Sequence, residues 1–188
     1  EDPNTSYLFY ENKGQILNSS GTAVESTVTH ATMDAYPAIF FKPKTFSYKL
    51  YNFDTLSAVV DTTQRIDITL DGGNESAKPY SMEKSQGLVN IFDTKLLANI
   101  TDIQGYKRIV ASEVYSGIDA HYYSNHDGLK IYYVVKPGAD PRNIVLQITG
   151  ANTTTISGVN LEIQGINRKI IYDQPKFYQT NLAGTTTS

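Results

Sequence analysis

The chain contains no cysteine and no tryptophan among its 188 residues. Without cysteine there are no disulfides, no thiolate metal ligands and no cysteine nucleophile. Basic excess is missing too. The 16 Lys and Arg against 19 Asp and Glu give a net charge of −3, the wrong sign for neutralising phosphates, so no nucleic-acid partner is expected. No apolar run approaches the roughly 18 residues of a membrane span, so no membrane insertion is expected. The first residues lack a charged n-region followed by an apolar h-region, so any signal peptide is expected to have been removed. Helical periodicity is almost absent as well.

What is present is alternation with a period of two. Ile66, Ile68 and Leu70 alternate with Asp67, Thr69 and Asp71. Phe46, Tyr48 and Leu50 alternate with Ser47, Lys49 and Tyr51. Leu129, Ile131, Tyr133 and Val135 repeat the pattern, as do Ile144, Leu146 and Ile148, and then Val159, Leu161 and Ile163. Apolar runs at 7–10 and 39–41 read as further strands. Such segments, separated by Gly, Asn, Asp and Pro, predict an all-β, β-sandwich-like fold of many short antiparallel strands. Fourteen tyrosines suit it, because the ring packs while the hydroxyl reaches water. At most one short helix is expected, within 81–102, where "LVNIFDTKLLANI" fits a helix or an irregular crossover.

A single β-rich domain is expected over 7–180, flanked by linker-like ends at 1–6 and 181–188. "RIDITLDGGN" (65–74) and "NIVLQITGAN" (143–152) echo one another. They raise the alternative of two similar halves, 7–105 and 106–180, beside one sandwich that reuses a good turn.

Chemistry concentrates in "VYSGIDAHYYSNHDGLKIYYVVKPGADP" (114–141), which holds two of the three histidines. Ala120–Ser124 and Leu129–Val135 read as a hairpin around Asn125, His126, Asp127 and Gly128. Pro137-Gly138 predicts a type II-like turn, and Asp140 before Pro141 predicts a cap on one helical turn. Asp119 and His121 share a strand face and, with Asp127 at the hairpin tip, are the residues a metal would use. The tip and the strand start are too far apart for tetrahedral zinc unless a distant segment, such as that around His30, completes the set. "DGGNES" and "SNHDG" are acidic enough for calcium but lack the spacing of an EF-hand loop. No G-x-S-x-G, H-E-x-x-H, G-x-x-x-x-G-K-[ST] or G-x-G-x-x-G occurs, so no catalytic residue is singled out. Tyr122 and Tyr132 are the residues that would stack on a sugar, with core packing as their other use. Sequons at Asn4, Asn18, Asn74, Asn99 and Asn152 are equally well explained as surface turns.

Four phrases in order resemble a known domain family: "YLFYENKGQ", "VYSGIDAHYYSNHDGLKIYY", "VVKPGADPRNIVLQITGAN" and "IIYDQPKFYQT". Their shared positions are Glu11, Asn12, Lys13, Gly14, Gln15, Gly117, Ile118, Asp119, Gly128, Pro137, Gly138, Asp140, Pro141, Pro175 and Tyr178. The chain is similar to the uncharacterised N-terminal β-rich domain of large secreted Bacteroidetes-type surface proteins. Those proteins often carry SBBP-type repeats or gliding-motility-associated C-terminal regions. Ser116 stands where that family usually has proline, and His121 where it usually has an apolar residue. The tryptophan expected shortly after Asn90 and Phe92 is missing.

The resemblance implies an extracellular or cell-surface module supporting adhesion or assembly and carries over no known reaction; the chain is expected to be non-catalytic and to need no cofactor. Its partners would be neighbouring domains of a parent protein and extracellular polysaccharide. The alternatives are a carbohydrate-active hydrolase, with Asp119, His121 or Asp127 in its site, and a calcium-stabilised carbohydrate-binding domain.

Overall fold

The computed structural model describes residues 7–17, 27–33, 35–53, 60–92, 99–125, 128–180 and 186–187. The chain forms β1 (Phe9–Glu11), β2 (His30–Thr32), β3 (Ala38–Lys42), β4 (Thr45–Phe53), β5 (Val60–Leu70), β6 (Tyr80–Ile91) and β7 (Ile100–Tyr115). It continues through β8 (Ile118–Asn125), β9 (Gly128–Val135), β10 (Leu146–Thr149), β11 (Thr153–Ser157), β12 (Asn160–Gln164) and β13 (Lys169–Tyr172) to β14 (Gln179–Thr180) and β15 (Thr186–Thr187). Among the described residues the one helical piece is a 3-10 turn at Pro141–Asn143, capped by the Asp140 carboxylate accepting the Arg142 N–H at 2.9 Å. The all-β expectation holds, and so does that cap. The Pro137-Gly138 turn also forms, with Gly138 at φ 88° and the Ala139 N–H donating to the Lys136 carbonyl.

The helix expected within 81–102 is not found among the described residues. Tyr80–Ile91 is extended and pairs with β7 through two register shifts, with Gly87 at positive φ inside the first and Asp102 at positive φ on the β7 side of the second. Its apolar residues satisfy their backbone in a ladder rather than a helix. Residues 93–98 of that expectation lie outside the described ones.

β7 organises the sandwich. β6 runs along one of its edges from Ile100 to Val110. The opposite edge is shared, with β1 pairing at Gly105 and Tyr106 and β8 taking over from Arg108. The sheet therefore forks at Lys107. One branch continues β1-β2-β3-β4-β5-β10, and the other is β8-β9. Cross-strand partners share a face, so the fork also swaps which side of β7 is interior. Phe9, opposite Tyr106, and Tyr122, opposite Ile109, both lie in the core. The two inner faces meet there, with Tyr122 packing its ring edge-on to Phe41 at 5.2 Å and Phe46 at 5.5 Å.

The β11-β12-β13 sheet closes the same core with Leu161, Ile163, Ile170 and Tyr172. The Tyr172 and Tyr48 hydroxyls are 2.8 Å apart, and burial pushes Tyr48 up to about 12. Gly150, at φ 81°, lets the chain enter this sheet. A Cβ there would sit 2.1 Å from the Arg65 carbonyl oxygen. The echoed segments end up side by side, since β10 pairs with β5 from Leu146↔Leu70 to Thr149↔Asp67. A division at 105/106 would fall inside β7.

Candidate functional site

The "ENKGQ" phrase is a turn that satisfies itself. Asn12 Oδ1 accepts the Gly14 N–H, Gln15 Oε1 accepts the Lys13 N–H, and Gln15 Nε2 donates to the Glu11 carbonyl. Outward links come from Asn12 Nδ2 to the Val28 carbonyl at 2.9 Å and Lys13 Nζ to the Asp102 carbonyl at 2.9 Å. The turn thus fastens the end of β1 to the approach to β2 and to the start of β7.

It also places Glu11 at the mouth between the two layers. There Glu11, Asn12, Thr29, His30, Tyr80 and Ser81 line a cavity of about 430 Å³ together with Val28 and Pro79. His30 is 4% exposed. Its Nε2 lies 2.8 Å from Ser81 Oγ and its Nδ1 3.0 Å from Thr29 Oγ1. Ser81 Oγ donates to Glu11 Oε1 at 3.1 Å. Burial lowers the His30 pKa, and the Glu11 charge opposes that shift only in part, so the imidazole is neutral at pH 7.

A serine within hydrogen-bond reach of a neutral imidazole is the start of a nucleophile–base pair. Two features oppose that use here. The Ser81 hydroxyl faces a carboxylate, whose charge would destabilise an oxyanion forming at the same place. The His30 Nδ1 meets a hydroxyl, where a triad needs a carboxylate to stabilise imidazolium. The arrangement is a polar bridge between β1, β2 and β6.

The residues singled out in 114–141 separate on folding. Tyr122 faces inward at 4% exposure against Phe41 and Phe46. Stacking of Tyr122 on a sugar is therefore corrected: no ring face is open to a ligand. Tyr132 faces outward, with its ring 4.6 Å from the His121 ring and nearly parallel to it, and with Arg108 5.8 Å away. Its hydroxyl receives Arg108 Nη1 at 2.8 Å and lies 3.0 Å from His121 Nδ1. Burial first, then the Arg108 charge, lowers the His121 pKa, with Asp119 opposing.

Asp119 Oδ1 accepts the Glu113 N–H at 2.7 Å and sits 3.3 Å from Lys136 Nζ. Lys136 also pairs with Glu113, whose carboxylate takes the Gly117 N–H. Asp119 thus fixes the irregular end of β7, where Glu113 has φ 54°. Asp127, with His126 beside it, lies outside the described residues. Among those described, no three His, Cys, Asp or Glu converge as metal ligands.

Ile118 is fully buried, Gly117 turns β7 into β8 and Gly128 opens β9. Pro175 and Tyr178 stand exposed in the stretch after β13. The Glu11–Ser81–His30 bridge was not legible, because 51 residues separate His30 from Ser81. The signal available was Glu11, already part of a distinctive phrase.

Neither curated proteins nor solved structures provide a match to the chain. A family match spans nearly its whole length. The chain belongs to the family described as Domain of unknown function (DUF7948), which matches residues 9–187.

Proposed function

We propose that the chain is a non-catalytic structural and binding module of a larger extracellular or cell-surface protein, supporting adhesion or assembly. The observation that carries this reading is the engagement of its most reactive-looking side chains in holding strands together. Asp119 braces the end of β7, and His121 lies stacked on Tyr132 while Tyr132 receives Arg108. A general acid or base needs its titrating atom within reach of a substrate, and Asp119 Oδ1 and His121 Nδ1 are turned to their own neighbours. The extracellular address rests on the resemblance of the four sequence phrases, and the partners proposed are neighbouring domains and extracellular polysaccharide.

The test has two arms. Protease shaving of intact cells making the parent protein should release peptides of this domain. The purified domain, incubated with polysaccharides, should be retained on at least one without releasing reducing ends. Peptides found only after lysis, or reducing ends that accumulate with time, would overturn the reading.

A further inference from the structure

The junction between β4 and the β12–β13 turn gathers cations on tyrosine rings. Tyr36 and Tyr51 stack with centroids 5.9 Å apart and planes 26° from parallel. Lys49 Nζ lies 5.2 Å from the Tyr51 ring centre, and the Arg168 guanidinium lies 4.6 Å from that of Tyr36. Arg65, paired across the sheet with Lys49, is 63% exposed along its side chain and forms an ion pair with Asp67 at 2.9 Å. Each cation thus sits near an aromatic face or a fixed carboxylate, which orients a long side chain before any ligand arrives.

The scaffold under them is firm. The Tyr36 hydroxyl donates to the Tyr51 carbonyl at 2.7 Å and lies 3.2 Å from Asn167 Oδ1, while Asn167 Nδ2 donates to the same carbonyl. These bonds tie the turn carrying Arg168 to the strand carrying Lys49. A chain with net charge −3 has thus placed Lys49, Arg65 and Arg168 around one tyrosine pair, with Asp67 held against Arg65.

We propose that this surface binds an acidic polysaccharide, whose carboxylate or sulfate groups contact Lys49 and Arg168, the two cations that bracket the Tyr36–Tyr51 stack. Anionic groups repeating along such a polymer match cations held in fixed places on this surface, while the tyrosine rings, stacked on each other and capped by Lys49 and Arg168, hold those cations in position. The inference rests on the proposed extracellular binding role and names the class of ligand.

The experiment measures retention of the folded domain on immobilised polygalacturonate, with neutral dextran and single-stranded DNA as comparators, at low and moderate salt. The double variant Lys49→Glu/Arg168→Glu is compared with the wild type, each at an unchanged melting temperature. Should that variant fail to fold, Lys49→Gln and Arg168→Gln are measured singly. The expected result is retention on polygalacturonate above dextran and DNA, weakened by salt and reduced about tenfold in the double variant. Variants that bind like the wild type, equal retention on DNA, or no retention on the acidic polymer would each overturn the proposal. Retention on dextran alone would overturn it while leaving the broader binding role intact, and cell-surface shaving tests that role separately.

Discussion

Tyr133 turns its ring toward the core, and its buried hydroxyl has no hydrogen-bond partner among the described residues. Burial raises its pKa. Tyr133→Phe should therefore be neutral or stabilising by up to about 1 kcal/mol, because it deletes a desolvated polar group without opening a cavity. A urea titration decides this, and a clear loss of stability would reveal a partner for the hydroxyl. Tyr122→Ala, which removes the ring between Phe41 and Phe46, should cost about 3–5 kcal/mol in the same titration. A cost under about 1 kcal/mol would mean that the two layers do not meet at Tyr122. Alternation makes Tyr122 and Tyr123 face opposite ways, but it does not say which is dry. That choice is made by β7, through the pairing of Ile109 with Tyr122.

At the scale of elements, the polar bridge joins β6 to β1 and β2 across the interior, and it should make stability depend on pH. The pKa values of both His30 and His121 are lowered from 6.5, with burial as the first cause. The unfolded chain then binds more protons than the folded one below about pH 6.5. Stability is complete above that value and is lost as pH falls toward the folded pKa values. The melting temperature should drop between pH 7.5 and 5.5, and His30→Gln should flatten that slope. An unchanged slope in the variant would remove His30 from the account. Strands such as β4 and β5 were legible because each keeps one apolar face. β6 was not, since its register shifts break the alternation that marks a strand.

At the scale of the molecule, the sandwich depends on one strand serving two layers. The sequence shows many strands and their turn residues, but a fork at Lys107 leaves no local mark, because pairing partners are chosen from segments far apart in the chain. The echo between 65–74 and 143–152 shows the same limit. Similar strands with similar turns raise the alternative of repeated halves, and nothing in either segment says that β5 and β10 pair as neighbours in one sheet. The histidines of 114–141 drew attention as chemistry, while the polar cavity formed elsewhere, at Glu11, His30 and Ser81.

That cavity holds the most direct test of the proposed non-catalytic role, in which polar side chains here bind the layers together. The measurement is Ser81→Ala against wild type, with urea midpoint and hydrolysis of ester and glycosidic substrates followed on the same samples. The account predicts no turnover by either protein. It also predicts a stability loss of about 1–3 kcal/mol in the variant, since buried His30 and half-buried Glu11 each lose a hydrogen-bond partner. Wild-type turnover that disappears in a fully stable Ser81→Ala would contradict it.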